Sequence, residues 1–206
     1  MEKNNLDNIF ATPLYRTSNK DWLHIDKKCD EIINKIIKDN SQKKLKPNSY
    51  HSHNLWNEPD LIDFTKYILN MSWSFMNTLG YDLTNRTPLL TELWVQEFPK
   101  EGGFHDIHIH GNNHVSGFYF LKADKDTSYP LFHEPRPGKL MIDLPLKDKK
   151  KMSYGQSKIK YNVEPGTLIM FPSYVPHSYA HYKGKNKFRF VHFNMQAIIG
   201  ENIVNK

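Results

Sequence analysis

Residues 115–122 have the sequence VSGFYFLK, a short run of β-branched and aromatic residues bounded by turn-forming residues. Six further runs share this texture: LTELWVQEF (90–98), HDIHIH (105–110), KLMIDL (139–144), KIKYNV (158–163), TLIMF (167–171) and KFRFVHFNM (187–195). Clusters of Gly, Pro, Asn and Lys separate them. Short strands with this spacing are typical of a β-sandwich or barrel and not of a parallel βαβ array. The second half of the chain is therefore predicted to be mostly β.

The first half has a different periodicity. From residue 22 to residue 38, apolar residues recur at helical spacing, with lysines and aspartates between them. A second apolar stripe begins near Pro59 and ends at Gly80, residue types that favour the start and the end of a helix. We expect two amphipathic helices that cover a sheet.

Composition limits the class of protein. The chain has 206 residues and 38% hydrophobic residues, enough for one sizeable core, and we expect a single domain over 1–206. No apolar run approaches the length of a membrane helix, and the first ten residues lack a signal core, so a soluble, cytoplasmic protein is expected. The single cysteine, Cys29, cannot form an internal disulfide and is predicted to be buried. A net charge of +6 would attract polyanions only weakly.

Four of the eleven histidines lie within ten residues: His105, His108, His110 and His114. Residues i and i+2 of a strand point to the same face, so His108 and His110 could converge on one metal ion. His105 would point to the other face of a regular strand, and His114 follows a turn, so both are interpreted as bystanders. A lone His-x-His pair is more often an ordinary surface or core pair than a metal site.

A third ligand is therefore needed, and His177 is the candidate, just past Pro176 at the end of a predicted strand. Twelve residues later Arg189 lies in an apolar strand, where a buried cation needs a fixed anion. Its planar guanidinium suits a carboxylate. The alternation with Phe188 and Phe190 also allows Arg189 to face outward.

Five segments in this order resemble a known family: WVQEFP, HIHGNNHVSGFYFL, FHEPRP, VEPGTLIMFPSYVPH and FRFVHFN. Together they are similar to the Fe(II)- and 2-oxoglutarate-dependent oxygenases of marine phages and bacteria, within the prolyl-hydroxylase-like superfamily. The resemblance covers roughly Glu92 to Asn194, about half of the chain, and extends more vaguely to IFATPLY near the N-terminus.

The resemblance implies a double-stranded β-helix, the cupin-like jelly roll of that superfamily, over residues 89–198, with 1–88 as helical support and an N-terminal strand. It implies Fe(II) on His108, His110 and His177. The second ligand position holds a histidine where the wider superfamily has Asp or Glu. Three imidazoles leave the ion with more positive charge than a set with one carboxylate and also suit other metals.

The resemblance also assigns the cosubstrate site. Arg189 would pair with the far carboxylate of 2-oxoglutarate, and Gln96 and Phe120 would line the pocket. Relatives often place a tyrosine hydroxyl on that carboxylate, whereas the matching positions here hold Phe98 and Phe120. Arg189 would then bind that carboxylate without a tyrosine, with help from Gln96 or Ser116.

The implied reaction is hydroxylation of a C–H bond with oxidative decarboxylation of 2-oxoglutarate to succinate, using O₂ and ascorbate as reductant. The expected substrate is a protein or a small molecule in preference to a nucleic acid, and the first candidate is an amino-acid side chain of a protein, such as proline. Arg136 in FHEPRP could contact it or could only fix its own loop. The compartment would be the host cytoplasm if the protein is viral, and the oligomeric state is open.

Three alternatives follow from the same residues. A non-catalytic cupin-like module would bind zinc with the histidine trio and take no cosubstrate, and Arg189 would then face away from the cavity. An oxygenase that modifies nucleic acid would use the lysine clusters to attract phosphates. A nucleic-acid-binding β protein would use Trp94, Tyr119 and Tyr179 as stacking platforms, although aromatics at alternating strand positions are usually core.

Overall fold

The computed structural model describes residues 7–42, 49–100, 102–124, 129–142 and 144–200. Two helices precede most of the strands. A 3₁₀ turn over Lys20–Ile25 leads into α1 (Asp26–Gln42), and a second over Pro59–Leu61 leads into α2 (Ile62–Thr78). Gly80 then adopts a positive φ of 84°, as expected for a glycine that follows a helix. Both predicted helices are confirmed within a few residues of their expected ends. No helix among the described residues is long and apolar enough to cross a bilayer.

The larger sheet has six antiparallel strands in the order β1-β8-β5-β10-β3-β2. The strands are β1 (Tyr15–Ser18), β2 (Tyr50–His51), β3 (Arg86–Phe98), β5 (Val115–Lys122), β8 (Thr167–Pro172) and β10 (Phe188–Ile199). The long strands β3 and β10 pair along their whole length.

The smaller sheet has four antiparallel strands in the order β4-β9-β6-β7. They are β4 (His105–His108), β6 (Pro130–His133), β7 (Lys158–Lys160) and β9 (His177–Tyr179). A four-residue helix, α3, spans Pro137–Leu140. The predicted mostly β class with N-terminal helices is confirmed.

The two faces of the larger sheet have separate cores. One face packs under α1 and α2 around Val95, Val191 and Phe193. The other faces the smaller sheet and is dominated by phenyl rings, among them Phe98, Phe118 and Phe190. Because strand residues alternate between faces, each position of β10 belongs either to the helix side or to the space between the sheets.

The prediction of a strand at 139–144 is wrong for the residues described there. Pro137 starts the short helix α3, and Met141 and Ile142 follow it as exposed residues outside any strand. The apolar run resembles a strand in the sequence, but its described apolar side chains are exposed and do not pack into a hydrophobic core.

Candidate metal centre

Three histidines meet at the edge of the smaller sheet. His108 lies opposite His177 in the β4–β9 register, and His110 follows the end of β4, where its backbone N–H donates to the carbonyl of Ser173 at 3.0 Å. One ring nitrogen from each of the three lies within 4.8 Å of the others. The Nε2 atoms of His110 and His177 are 3.3 Å apart. The structure therefore brings together the three residues that the sequence indicated.

Hydrogen bonds to backbone carbonyls orient two of the three rings. His108 Nδ1 lies 2.7 Å from the carbonyl oxygen of Asp106, and His177 Nδ1 lies 3.0 Å from that of Val175. A carbonyl oxygen only accepts, so Nδ1 must carry the proton in both rings. Nε2 then keeps its lone pair and can bind a metal ion, which is how metal-binding histidines are commonly held.

Two of the rings, those of His110 and His177, are also held in the neutral form. Burial, and secondarily the neighbouring histidines, lower the pKa of His177 to about 3. Burial followed by His108 lowers the pKa of His110 to about 4. Both groups are therefore unprotonated at neutral pH, the state in which an imidazole binds a metal ion.

A row of polar side chains supports His110 from the larger sheet. Asn194 lies opposite Glu92 on β3 and Ser116 on β5. Its Nδ2 donates to Glu92 Oε2 at 2.5 Å and lies 3.1 Å from His110 Nδ1, while its Oδ1 accepts from the hydroxyl of Ser116 at 2.6 Å. Asn194 therefore fixes the ring of His110 from the side that faces away from His177.

A fourth histidine, His192, lies in the same interior and was missed by the sequence analysis. Its ring stacks on that of His110 at 4.6 Å between centroids and lies 4.4 Å from the ring of Trp94. Its side chain is 1% exposed, and neither ring nitrogen has a hydrogen-bond partner. The alternation of β10, with Phe190 and Asn194 on the same face, was the signal that could have found it.

His105 is not among the three metal-binding candidates, but it does not point to the other face of the strand, as a regular strand would require. The β4–β9 pairing has an irregularity between His105 and His108, so the strict alternation assumed in the sequence analysis fails. The ring of His105 lies 5.7 Å from that of His108, and its Nε2 is 2.7 Å from Gln96 Nε2. His114 accepts a hydrogen bond from the backbone N–H of Ala197 and also lies outside the group of three metal-binding candidates.

The interior beside the histidines offers neutral polar groups and phenyl rings. Gln96 is buried, and its Oε1 has no hydrogen-bond partner. The hydroxyl of Tyr179 is also buried and without a partner. Phe120 lies farther along, in ring contact with Phe118 and Phe190. Gln96 and Phe120 thus both face the interior between the two sheets.

The expected position of Arg189 is corrected. It lies on the helix face of β10, opposite Glu97, while Phe190 and His192 face the space between the two sheets. Its buried guanidinium is bound by three carboxylates: Glu97 at 2.5 Å, Asp30 at 2.5 Å and Asp26 at 2.7 Å. A buried cation needs an anion, as the sequence analysis argued, but α1 and β3 supply it. The structure does not bring Arg189 to the histidines.

Arg136 lies at a different opening. It lines a cavity of about 720 Å³ between residues 7–14 and the smaller sheet, and its guanidinium pairs with Glu134 at 2.6 Å. Phe132 and Phe171 also line this cavity and pack against the ring of His177. These two rings therefore lie between the cavity and the three histidines.

The donor set fits Fe(II), since three neutral imidazoles on one side of an ion suit a divalent first-row metal. A 2-oxoglutarate bound to such an ion ends in a second carboxylate. Among the buried polar groups beside the histidines, the hydroxyl of Tyr179 is a donor without a hydrogen-bond partner. The charged groups that shift the pKa of His105 are all histidines, namely His108, His51 and His110.

The chain is similar to known proteins in its sequence and in its fold. The family model described as "Putative 2OG-Fe(II) oxygenase" matches residues 92–194. A comparison with curated proteins found no significant match.

Solved structures show the same fold. A prolyl-4-hydroxylase from Pseudomonas putida aligns with a TM-score of 0.56 at 10% identity, over 90% of this chain and 92% of its own. AviO1 from Streptomyces viridochromogenes Tue57 aligns with a TM-score of 0.59 at 10% identity, over 89% of both chains. HygX from Streptomyces hygroscopicus, solved with nickel and 2-oxoglutarate, aligns with a TM-score of 0.52 at 8% identity, over 89% of this chain and 82% of its own.

These likenesses confirm the double-stranded β-helix predicted for the core. The family model covers half of the chain and includes His108, His110 and His177. On that match, this chain is an enzyme that belongs to the 2OG-Fe(II) oxygenase family.

Proposed function

We propose that this chain is an Fe(II)- and 2-oxoglutarate-dependent dioxygenase that hydroxylates a C–H bond, with His108, His110 and His177 as metal ligands. The convergence of three ring nitrogens within 4.8 Å carries the proposal. Two of the rings have Nδ1–H held by backbone carbonyls, so their free lone pairs already point away from the backbone.

The bound ion and 2-oxoglutarate supply the redox chemistry, in which O₂ yields one oxygen atom to the substrate and one to succinate, with loss of CO₂. The chain itself binds and orients. The carbonyls of Asp106 and Val175 keep the protons of two ligands on Nδ1. Phenyl rings at Phe118 and Phe171 pack against His177 and exclude water from that side of the centre.

For the cosubstrate we propose a neutral clamp. Tyr179 lies two residues after His177 on β9, so its side chain projects from the same face. Its unpartnered hydroxyl would donate to the far carboxylate of 2-oxoglutarate, with the buried amide of Gln96 beside it. Phe120 would form the apolar wall. This clamp replaces the assignment to Arg189, whose guanidinium is bound by carboxylates on the other face.

For the substrate we propose an amino-acid side chain of a protein, with proline tested first, because a solved relative of this fold is a prolyl-4-hydroxylase. Arg136 and Glu134 line the cavity of about 720 Å³ and would contact residues that flank the target. The charged pair would then contribute to substrate affinity and not to the reaction itself.

Succinate formation from 2-oxoglutarate, with Fe(II) and ascorbate in air, tests the proposal. Uncoupled turnover is expected from the unaltered protein and loss of turnover from His108→Ala. The exposed His53 supplies the matched control, and His53→Ala should keep full turnover. Tyr179→Phe should raise the KM for 2-oxoglutarate with a smaller effect on kcat, because it removes only a binding contact.

Other outcomes would identify the alternatives. A chain that binds zinc at the three histidines, does not bind 2-oxoglutarate in calorimetry and forms no succinate would be a cupin-like binding module. Turnover stimulated by methylated DNA or RNA and not by proline peptides, with a steep loss of affinity in salt, would indicate a nucleic-acid substrate.

A further inference from the structure

A second group of metal-binding side chains lies behind His110. Glu92, His110 and His192 each place one donor atom within 4.8 Å of the others. Glu92 Oε2 is 3.8 Å from His192 Nε2. The group comes from two paired strands of the larger sheet and from the segment after β4, and it shares only His110 with the three histidines described above.

His192 differs from the usual buried histidine because its ring nitrogens make no hydrogen bonds to the described residues. Its side chain is 1% exposed, yet both ring nitrogens are without a hydrogen-bond partner among the described residues. A buried polar atom left without a partner is costly, so such atoms are rare unless something else binds them. The rings of Trp94 and His110 pack against that of His192, and neither satisfies its nitrogens.

The chemistry of the donors points to a cation. Two imidazoles and one carboxylate suit divalent first-row transition metals, and the carboxylate adds the negative charge that the three-histidine group lacks. Glu92 keeps 42% of its side chain exposed, which gives an ion a path from solvent to the buried ring of His192. Asn194 now donates to Glu92 Oε2 and would release that oxygen when an ion binds.

We propose that Glu92, His110 and His192 form a second binding position for a divalent transition-metal ion, which competes for His110 with the three-histidine position. The chain then holds one ion that can occupy either position. In the first it has three neutral ligands, and in the second it has two neutral ligands and a carboxylate. The competition follows from His110, because one neutral imidazole offers one lone pair.

Zinc titration by calorimetry, with cobalt absorption spectra as the second readout, tests the proposal on the full chain. The unaltered protein should bind one equivalent. The double variant His108→Ala/His177→Ala, shown to be folded by circular dichroism, should still bind one equivalent with an affinity lowered 10- to 1,000-fold. Adding Glu92→Gln to it should abolish binding, whereas adding His53→Ala should change nothing.

Three results would overturn the proposal: a folded double variant that binds no zinc or cobalt, binding by the double variant that Glu92→Gln leaves intact, or two equivalents in the unaltered protein. If the double variant does not fold, anomalous diffraction from zinc-soaked crystals of the single variant His108→Ala replaces it. An ion between Glu92 and His192 supports the proposal, and an ion elsewhere or none contradicts it. None of these readouts depends on oxygenase turnover, so the two proposals can fail separately.

Discussion

Arg189 lies opposite Glu97 in the β10–β3 register and donates to Glu97 Oε2 through both Nε, at 2.8 Å, and Nη2, at 2.5 Å. Both side chains are fully buried on the helix face of the sheet. Breaking a buried ion pair by removing one partner typically costs about 3–5 kcal/mol, because the other charge is left without compensation. We expect Arg189→Gln to lower the free energy of unfolding by about that amount in urea denaturation, while the folded fraction keeps its metal affinity.

Lys187 provides the control for this experiment. It is partly exposed and lies 3.3 Å from Glu97 Oε1, so Lys187→Ala should change the unfolding free energy by about 1 kcal/mol or less. An Arg189→Gln variant with unchanged stability and a lost affinity for 2-oxoglutarate would contradict the structural role and restore the one that the sequence indicated.

The pKa values of the histidines predict the acid sensitivity of the metal-free protein. Burial lowers the pKa of His177 to about 3 and those of His105 and His110 to about 4, whereas an unfolded histidine has a pKa of about 6.5. Below that value the unfolded chain takes up protons that the folded chain does not, so stability falls as the pH falls. The urea midpoint should be highest above pH 7 and should decrease steadily toward pH 5.

Two variants separate this effect from general acid denaturation. His105→Leu removes one of the buried groups and should flatten the pH dependence, while His53→Ala removes an exposed histidine and should leave it unchanged. A midpoint that is constant between pH 7 and pH 5 would contradict the prediction.

Asn194 should act on the metal through His110. The amide nitrogen of Asn194 can only donate to His110 Nδ1, which favours the tautomer with the ring proton on Nε2, so we expect Asn194→Ala to raise the metal affinity of the three-histidine position. The absorption spectrum of bound cobalt should shift as well, because the ring of His110 is freed to turn. Asn57, exposed and distant in the chain, gives the control Asn57→Ala. Lower stability with an unchanged cobalt spectrum would show that Asn194 is only structural.

Cys29 should be unreactive in the native protein. It is fully buried in the core under the helices, and burial raises the pKa of its thiol to about 12. A thiolate is the reactive form, so a thiol reagent such as DTNB should label the native chain only slowly and the urea-unfolded chain completely. Rapid, complete labelling under native conditions would contradict this expectation.

Local patterns were enough to predict much of the fold. VSGFYFLK corresponds to β5 over exactly the predicted residues, because an apolar run bounded by turn residues is a local signal. The helix beginning near Pro59 was found for the same reason. The run at 139–144 failed because the same pattern can occur on an exposed segment, and only the folded chain shows what covers it.

The residues of the candidate site could be predicted where their positions follow from spacing in the sequence. They could not be predicted where their positions depend on contacts with residues far away in the chain. His108 and His110 were visible as a pair, and His177 followed from the order of segments. His105 was expected to point to the other face of the strand, because an irregularity between paired strands leaves no mark in the sequence. Arg189 was misplaced because its carboxylate partners Asp26 and Asp30 come from a helix about 160 residues earlier in the chain.

The pairing of Arg189 with Glu97 also affects how this chain can evolve. Successive residues of β10 belong to opposite sides of the sheet, so a slip of one position along β3 would place the guanidinium among the histidines and His192 beneath the helices. Loss or gain of a single codon between Tyr182 and Phe188 would favour such a slip. The Arg189–Glu97 ion pair, which contacts no ligand, would oppose such a slip. It would thereby keep β10 in the register that places His192 and Asn194 beside the three histidines.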